Sequence, residues 1–191
     1  MSTQASIELP RRRFTVAEYE AMARTGVLRE DDRVELLDGE IVVMTPIGPP
    51  HAGVVKRLNR LLVTALGEAA IVGVQDPLRL SAHSEPEPDL VVARPRSDDY
   101  TAGHPGPDDA LLVIEVADSS LAVDRGVKVP LYAAAGITEV WLVDLAGAAV
   151  HVHRAPAGSA YTEIQTLRRG DTVTPLAFPD LAVELTAILG D

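Results

Sequence analysis

The sequence predicts an α/β fold built on a mixed β-sheet flanked by helices, with a β-hairpin extension near the C-terminus. Two patterns support this prediction. Residues 111–144 alternate strand, helix and strand, which is typical of parallel strands joined by a right-handed crossover. Antiparallel pairing is predicted by the turn pair Asp38-Gly39 and by the facing segments 149–154 and 160–167. A sheet with both kinds of pairing is mixed.

The composition is that of a globular protein without disulfides. The 191 residues are enough for one domain and few for two, and 47% of them are hydrophobic. The chain has no cysteine, no apolar run near the roughly 18 residues of a membrane helix and no signal-like N-terminus. We therefore expect a cytoplasmic protein without membrane contact. The formal net charge of −11 argues against sequence-independent nucleic-acid binding, unless basic side chains gather in a local patch.

The N-terminal part divides into a polar segment and a short helix. Residues 1–13 are predicted to form a flexible tail, and residues 14–191 a single domain. The tail ends in three arginines at 11–13, which either touch a phosphate backbone or remain solvated. Thr15 and Glu18 have the spacing of a capping box, so we expect a helix to begin there.

Two further positions have more than one interpretation. Glu35 interrupts the first strand of the Asp38-Gly39 hairpin, and its side chain points either to solvent or towards the carboxylates of later strands. His51 stands at the entrance of a long helix predicted over 48–70, where it is a cap, an exposed residue or part of a site. Beyond it, the helix carries basic residues that form either a phosphate-binding patch or an ordinary solvated face: Lys56, Arg57 and Arg60.

The rest of the chain alternates strands with loops and helices. Strands are predicted at 71–75, 78–81, 89–93, 111–118, 139–144 and 172–174, with a surface loop at 94–109 and a final helix at 180–188. Asp124 is a candidate N-cap of the helix that ends at Gly136. Because Pro130 removes one backbone donor, either the first turn is distorted or the regular helix starts nearer Val129.

Two histidines in the later hairpin have a spacing that is compatible with metal binding. His151 and His153 share one face of a strand, and an i, i+2 pair can bind zinc. No third ligand lies near them in the sequence. The interpretation we favour is a pair of polar residues on an outer face of the sheet.

Two carboxylates and one lysine stand where an apolar core is expected. Asp89 opens one apolar strand, Glu115 interrupts the next, and Lys128 lies near the start of the helix that follows. Buried carboxylates are costly unless they are paired or bind a metal. If the two strands are neighbours, the pair could hold Mg²⁺ or Mn²⁺, since such ions need only one or two protein carboxylates. A nearby ammonium could then orient water and stabilise charge during phosphodiester cleavage.

These residues resemble a known nuclease signature. Pro88-Asp89, Glu115-Val116-Ala117 and Lys128 are similar to the PD-(D/E)XK motif in the variant found in the Uma2 family of restriction-endonuclease-like proteins. The segments RVELLDGEIVVMTP, PEPDLVV, LLVIEVADSS and DRGVKVPLYAAAGITEVWLVDL resemble Uma2 segments in the same order. The resemblance extends over about residues 14–187.

The resemblance implies a restriction-endonuclease-like core with helices on both faces of the sheet, and a Mg²⁺-dependent endonuclease that acts on DNA. It implies that Asp89 and Glu115 are metal ligands and that the Val116 carbonyl adds a ligand. Lys128 takes the part of the signature lysine, because Ala117 occupies the usual lysine position. The resemblance also implies that two residues accompany the site, with less defined roles: Glu35 and His51.

Two other functions are compatible with the sequence. A non-catalytic binding or assembly module on the same fold is favoured by Ala117 and by the acidic net charge. An unrelated α/β enzyme is disfavoured, because no glycine-rich phosphate loop, nucleophile elbow or HExxH motif is present. Whatever its function, the protein is expected to form a homodimer, with the apolar C-terminal strands as a candidate interface.

Overall fold

A computed structural model describes residues 11–29 and 31–190 and has a six-stranded sheet at its centre. The elements in chain order are α1 (Val16–Arg24), β1 (Val34–Leu37), β2 (Glu40–Val43), α2 (Pro49–Leu66), a 3₁₀ turn (Gly67–Ala69), β3 (Ile71–Val74), β4 (Leu90–Ala93), β5 (Ala110–Ala117), α3 (Leu121–Val123), a π-helix (Asp124–Lys128), α4 (Val129–Ala134), β6 (Glu139–Asp144), β7 (Ala149–Ala157), β8 (Ala160–Arg168), β9 (Thr172–Val173), β10 (Val183–Glu184) and α5 (Leu185–Leu189).

The sheet is mixed, as predicted. Its strand order is β3-β4-β5-β6-β7-β8, and β5–β6 is a parallel pair between antiparallel neighbours. The helical segment from α3 to α4 connects β5 to β6, which confirms the predicted βαβ unit. The predicted C-terminal hairpin is β7–β8, and it extends the sheet at one edge. Two small sheets, β1–β2 and β9–β10, lie apart from the main one.

Each face of the sheet is covered by helices, which explains the nearly continuous apolar sequence of β5. On one face, side chains of β4 and β5 such as Val92 and Ile114 pack against α2 and α5. On the other face, side chains such as Val91 and Val113 pack against α4. Glu115 has the same parity as Val113, so its side chain belongs to the α4 face of the sheet.

The N-terminal helix and hairpin match the sequence pattern closely. Thr15 and Glu18 form the predicted capping box, with Glu18 N–H donating to Thr15 Oγ1 at 3.2 Å and Thr15 N–H donating to Glu18 Oε2 at 3.0 Å. Asp38 (φ 48°) and Gly39 (φ 79°) have the positive φ values that a type I′ turn requires.

The three arginines at 11–13 are paired with acidic side chains of the fold. Arg11, Arg12 and Arg13 form exposed ion pairs with Glu40, Glu18 and Asp38, in that order. These contacts leave the arginines at the surface, where each pair contributes about 0–1 kcal/mol. The remainder of the predicted flexible tail, residues 1–10, lies outside the described residues.

The longest of the described helices, α2, is amphipathic. Its apolar stripe packs into the core and consists of Val54, Val55, Leu58, Leu62 and Leu66. Lys56 and Arg60 are exposed, whereas Arg57 donates to the carbonyl of Ile188 at 3.0 Å and so helps to hold α5. Within residues 11–29 and 31–190, no helix combines the length and apolarity needed to cross a membrane.

The predicted strand at 78–81 is wrong. Leu78 and Leu80 are buried in the core on the α4 face, and this alternation produced the strand pattern. Their N–H groups donate instead to loop carbonyls, those of Pro86 and Ser84, and the segment has only an isolated bridge between Ser81 and Ser84. Alternating burial therefore occurred here without a neighbouring strand to pair with.

The start of the helix after β5 also differs from the prediction. Asp124 is not an N-cap, because helical structure already begins at Leu121, and its carboxylate accepts a hydrogen bond from Ser120 Oγ at 2.6 Å. The backbone then makes a π-turn, in which Val129 N–H donates to the Asp124 carbonyl five residues back. The regular helix α4 begins at Val129, as one interpretation of Pro130 predicted, because proline has no N–H for an interior helical bond.

The final helix is shorter than predicted. It begins at Leu185 instead of 180, because Val183 pairs with Val173 in the small β9–β10 sheet. A residue engaged in a strand pair cannot at the same time have helical backbone angles. The short strand expected at 172–174 is present as β9.

The expected outer-face position is wrong for both histidines of β7. Among the described residues no group of three or more His, Asp or Glu side chains forms a ready metal cage. Val150 and Val152 of β7 pack on the α2 face, so His151 and His153, which alternate with them along the strand, lie on the α4 face. His151 contacts Arg125 and Thr166, and His153 is 5% exposed, beside the ring of Tyr161.

The buried imidazole of His153 is expected to make the stability of the protein depend on pH. Burial lowers its pKa from 6.5 to about 4, with smaller effects from His151 and Arg125. Between these two pH values the unfolded chain binds a proton that the folded chain does not. The free energy of unfolding of the unmodified protein should therefore fall as the pH is lowered from 6.5 to 4. In His153→Leu this fall should be smaller by about 2 kcal/mol. Urea unfolding across this pH range measures the difference.

The exposed imidazole of His104 provides the matched control, since His104→Leu removes a ring without emptying the core. If His153→Leu and the unmodified protein lose stability in parallel below pH 6.5, His153 does not remain neutral in the folded protein.

Candidate functional site

The two carboxylates singled out in the sequence lie side by side on the α4 face of the sheet. Leu90 pairs with Ile114, so Asp89 and Glu115 are the next residues along two neighbouring strands. Asp89 is 8% exposed and Glu115 is 2% exposed. Both carboxylates therefore lie almost out of water, where they require donors or a cation.

Asp89 is held mainly through one of its oxygens. Oδ2 accepts the N–H of Val116 at 2.8 Å and lies 3.0 Å from Nε2 of His51. Oδ1 has a longer contact, 3.4 Å, to the side-chain amide of Gln75. The backbone of β5 and the first turn of α2 thus fix the orientation of this carboxylate and leave Oδ1 more weakly held.

Glu115 is held in the same one-sided way. Its Oε1 accepts the hydroxyl of Tyr132 at 2.5 Å and lies 3.2 Å from Nζ of Lys128. No other described residue donates to Glu115. Both contacts fall on Oε1, and Oε2 is left without a donor from the described part of the chain.

Lys128 joins the sheet to the N-terminal hairpin. Its Nζ lies 3.0 Å from Oε2 of Glu35, and that carboxylate also accepts the N–H of Glu87 at 3.1 Å. Glu35 is 3% exposed and Lys128 is 5% exposed, so this is a buried ion pair. Of the two interpretations of Glu35 in the sequence, the side chain points towards the other carboxylates and not to solvent.

The charges of the site shift the pKa values of its groups. Burial raises the pKa of Glu115 to about 8; Lys128 opposes the rise, and Asp89 adds to it. Burial alone would lower the pKa of Lys128, but Glu115 and Glu35 outweigh it and raise that pKa, so the ammonium stays charged. The hydrogen bond from His51 to Asp89 raises the pKa of the imidazole. Burial and Glu115 raise the pKa of Tyr132 well above its ordinary value, so its hydroxyl remains a donor.

A cleft opens beside these residues, with a cavity volume of about 90 Å³. A water molecule needs about 10–15 Å³ by this measure, so several can enter. The cleft is strongly acidic: its lining includes two cationic side chains, Arg33 and Lys128, and six carboxylates, Glu35, Glu87, Asp89, Glu115, Asp118 and Asp124.

The donor set fits a hard divalent cation such as Mg²⁺ or Mn²⁺. Such an ion uses one or two protein carboxylates, here Asp89 and Glu115, and keeps several water molecules. The carboxylates supply the charge, and the cleft has room for the water. Val116 turns its side chain into the core beside α2 and gives its N–H to Asp89. Its carbonyl remains a predicted ligand.

The structure brings together the five residues predicted to be catalytic. Asp89, Glu115, Lys128, Glu35 and His51 line one cleft. The signature position Ala117 is fully buried on the α4 face, and Lys128 supplies the ammonium from the π-helix instead.

Three further residues of the site were not predicted. Tyr132 is four residues after Lys128 in a helical segment, and this spacing could have indicated it. Glu87 and Gln75 had no such signal. Gln75 adopts φ 56° just after β3, and this backbone turn, which places its amide near Asp89, depends on the folded chain.

A mixed sheet flanked by helices, with two carboxylates on neighbouring strands and a lysine beside them, defines a restriction-endonuclease-like protein. The chain belongs to the Uma2 family, described as "Putative restriction endonuclease", whose family model matches residues 16–187.

The fold is also similar to a solved structure, that of "a putative nuclease belonging to DUF820" from Anabaena variabilis ATCC 29413. The TM-score is 0.69 at 16% identity, over 92% of this chain and 97% of that chain. At this identity the similarity establishes the fold alone. A comparison with curated proteins gave no match.

Lys128 is expected to hold the site together. Lys128→Met leaves Glu35 and Glu115 buried without their cation, so the free energy of unfolding should fall by about 3 kcal/mol. Urea denaturation measures this loss. Lys56→Met, on the exposed face of α2, is the matched control and should change stability by less than about 0.5 kcal/mol. Equal stabilities of the two variants would contradict a structural role for the buried ion pairs.

Proposed function

We propose that this protein is a Mg²⁺-dependent endonuclease that hydrolyses phosphodiester bonds of DNA, with Asp89 and Glu115 as the protein ligands of the metal. The observation that carries the proposal is the convergence of these two carboxylates with the ammonium of Lys128 in one acidic cleft. Membership of the Uma2 family, with its endonuclease description, supports the same reaction class.

The proposed chemistry divides between the metal and the side chains. A bound Mg²⁺ would polarise the phosphate and lower the pKa of a water molecule that attacks it. Asp89 and Glu115 would hold the ion through oxygens that the fold leaves weakly held or without a donor. The Val116 carbonyl is a further candidate ligand.

Lys128 serves as an electrostatic group in this proposal. Because its pKa is raised, the ammonium does not act as a proton acceptor at neutral pH. It donates to the attacking water or to a phosphate oxygen, and so stabilises the negative charge that develops in the transition state. Glu35 holds the ammonium 3.0 Å away and keeps it beside Glu115. His51 orients Asp89 from the first turn of α2.

The acidic charge of the protein favours one alternative. A net charge of −11 and six carboxylates in the cleft repel a polyanion, which favours a non-catalytic binding or assembly module on the same fold. A divalent cation reduces this repulsion at the cleft, and so DNA binding should depend on the metal. The endonuclease therefore requires Asp89 as a metal ligand, whereas the non-catalytic module does not.

Plasmid cleavage separates these functions. With MgCl₂ or MnCl₂ the protein should nick supercoiled DNA, and EDTA should stop the reaction. Asp89→Asn and Glu115→Gln keep the size of each side chain but replace a charged metal ligand by a neutral amide. Each should lower the rate at least about 100-fold, because the remaining carboxylate does not replace the lost charge. Gel electrophoresis of the plasmid measures the rate.

Asp108→Asn is the control, because Asp108 is an exposed carboxylate remote from the cleft lining. If the Asp89 and Glu115 variants nick DNA at the rate of the control, the cleavage does not come from this site. If none of the proteins nicks DNA with either metal, the non-catalytic module is the better description.

The homodimer remains a prediction. The outer strand β8 exposes Ile164 at 61%, and an exposed edge strand is a candidate for pairing with a second copy. Light scattering should then give twice the chain mass of 20.3 kDa. Ile164→Lys should shift the protein to the monomer, and a monomeric mass before substitution would contradict the prediction.

A further inference from the structure

Tyr132 has a hydroxyl group that core packing does not require. The side chain is fully buried among apolar residues that link α4 to the sheet. A phenylalanine ring would fill the same volume, and a buried hydroxyl is costly unless it finds an acceptor. The acceptor here is Oε1 of Glu115, at 2.5 Å. The polar end of Tyr132 therefore serves the carboxylate.

Two donors from one helical segment converge on the same carboxylate oxygen. Lys128 ends the π-helix and Tyr132 follows four residues later in α4, so both side chains leave one face of the segment. Lys128 Nζ lies 3.2 Å from Oε1 of Glu115, and the Tyr132 hydroxyl also donates to Oε1. A carboxylate with two donors bound to the same oxygen has little freedom to rotate.

Asp89 is restrained in a similar way by groups from other elements. The Val116 N–H and His51 both contact its Oδ2, while Oδ1 has only the 3.4 Å contact with Gln75. Each carboxylate of the pair thus uses one oxygen for the protein and leaves the other for a ligand.

We propose that Tyr132 is a positioning residue, which fixes Glu115 so that it offers the single oxygen Oε2 to a divalent cation. This inference rests on the proposed metal-dependent function. Two carboxylates that each offer one oxygen leave most ligand positions to water and substrate, which suits Mg²⁺ and Mn²⁺. Ca²⁺ more often takes bidentate carboxylates and six to eight oxygen ligands.

The test uses Mn²⁺ as the probe and its EPR signal as a direct measure of binding, with no dependence on cleavage. Tyr132→Phe removes the hydroxyl and keeps the ring. We expect the Kd for Mn²⁺ to rise about 10-fold, at the lower end of the 10–100-fold effect of removing a group that orients a ligand. In plasmid cleavage, the Mn²⁺ concentration for half-maximal rate should rise by a similar factor, while the rate at saturating Mn²⁺ recovers.

Tyr161→Phe is the matched control. Tyr161 is also buried on the α4 face, and its hydroxyl donates to the carbonyl of Ile137 at 2.8 Å, away from the cleft. Both variants lose one buried hydrogen bond from the same core, so a merely structural role would affect them alike. Tyr161→Phe should bind Mn²⁺ as the unmodified protein does, and circular dichroism checks that both variants are folded.

The outcomes separate this inference from the function on which it rests. If the unmodified protein binds Mn²⁺ and Asp89→Asn does not, while Tyr132→Phe binds with unchanged Kd, the positioning role is wrong and the metal site stands. If Tyr132→Phe and Tyr161→Phe weaken binding equally, the effect belongs to the core and the inference is again overturned. If the unmodified protein binds no Mn²⁺, the proposed function fails and this inference fails with it.

Discussion

The ammonium of Lys128, buried between Glu35 and Glu115, is the interaction on which the rest of the site depends. It lies 3.0 Å from one carboxylate and 3.2 Å from the other. These contacts join the N-terminal hairpin, a central strand of the sheet and the π-helix. Because an unpaired charge in such a place costs several kcal/mol, each of the three elements holds the others in position.

Burying these charges at the candidate site costs the fold free energy. Apolar residues of similar volume would avoid the desolvation cost of two buried carboxylates and a lysine. Hydrogen bonds to the carboxylates reduce this desolvation cost and restrict their rotation. The donors are Val116 and His51 for Asp89, and Tyr132 for Glu115. The same donors leave one oxygen of each carboxylate for a cation, so structural support and proposed function use the same contacts.

Much of the site could be predicted from the sequence, and the reasons for the exceptions are physical. Asp89, Glu115 and Lys128 interrupt apolar patterns, and such interruptions are visible without coordinates. For Glu35 and His51 the sequence left alternatives open, because one charged residue in a short strand or at a helix entrance can face either way. The strand at 78–81 was wrong since the alternation of Leu78 and Leu80 reports burial and not pairing.

The sequence by itself determined the mixed α/β class, the capping box, the type I′ turn and the identity of the charged residues, because these depend on local backbone preference and on side-chain periodicity. Only the tertiary structure decided which groups meet. The π-turn before Pro130 sets the face from which Lys128 and Tyr132 leave the helix. The pairing of Leu90 with Ile114 brings Asp89 beside Glu115. This strand pairing joins segments distant in the chain, and local preference carries no information about it.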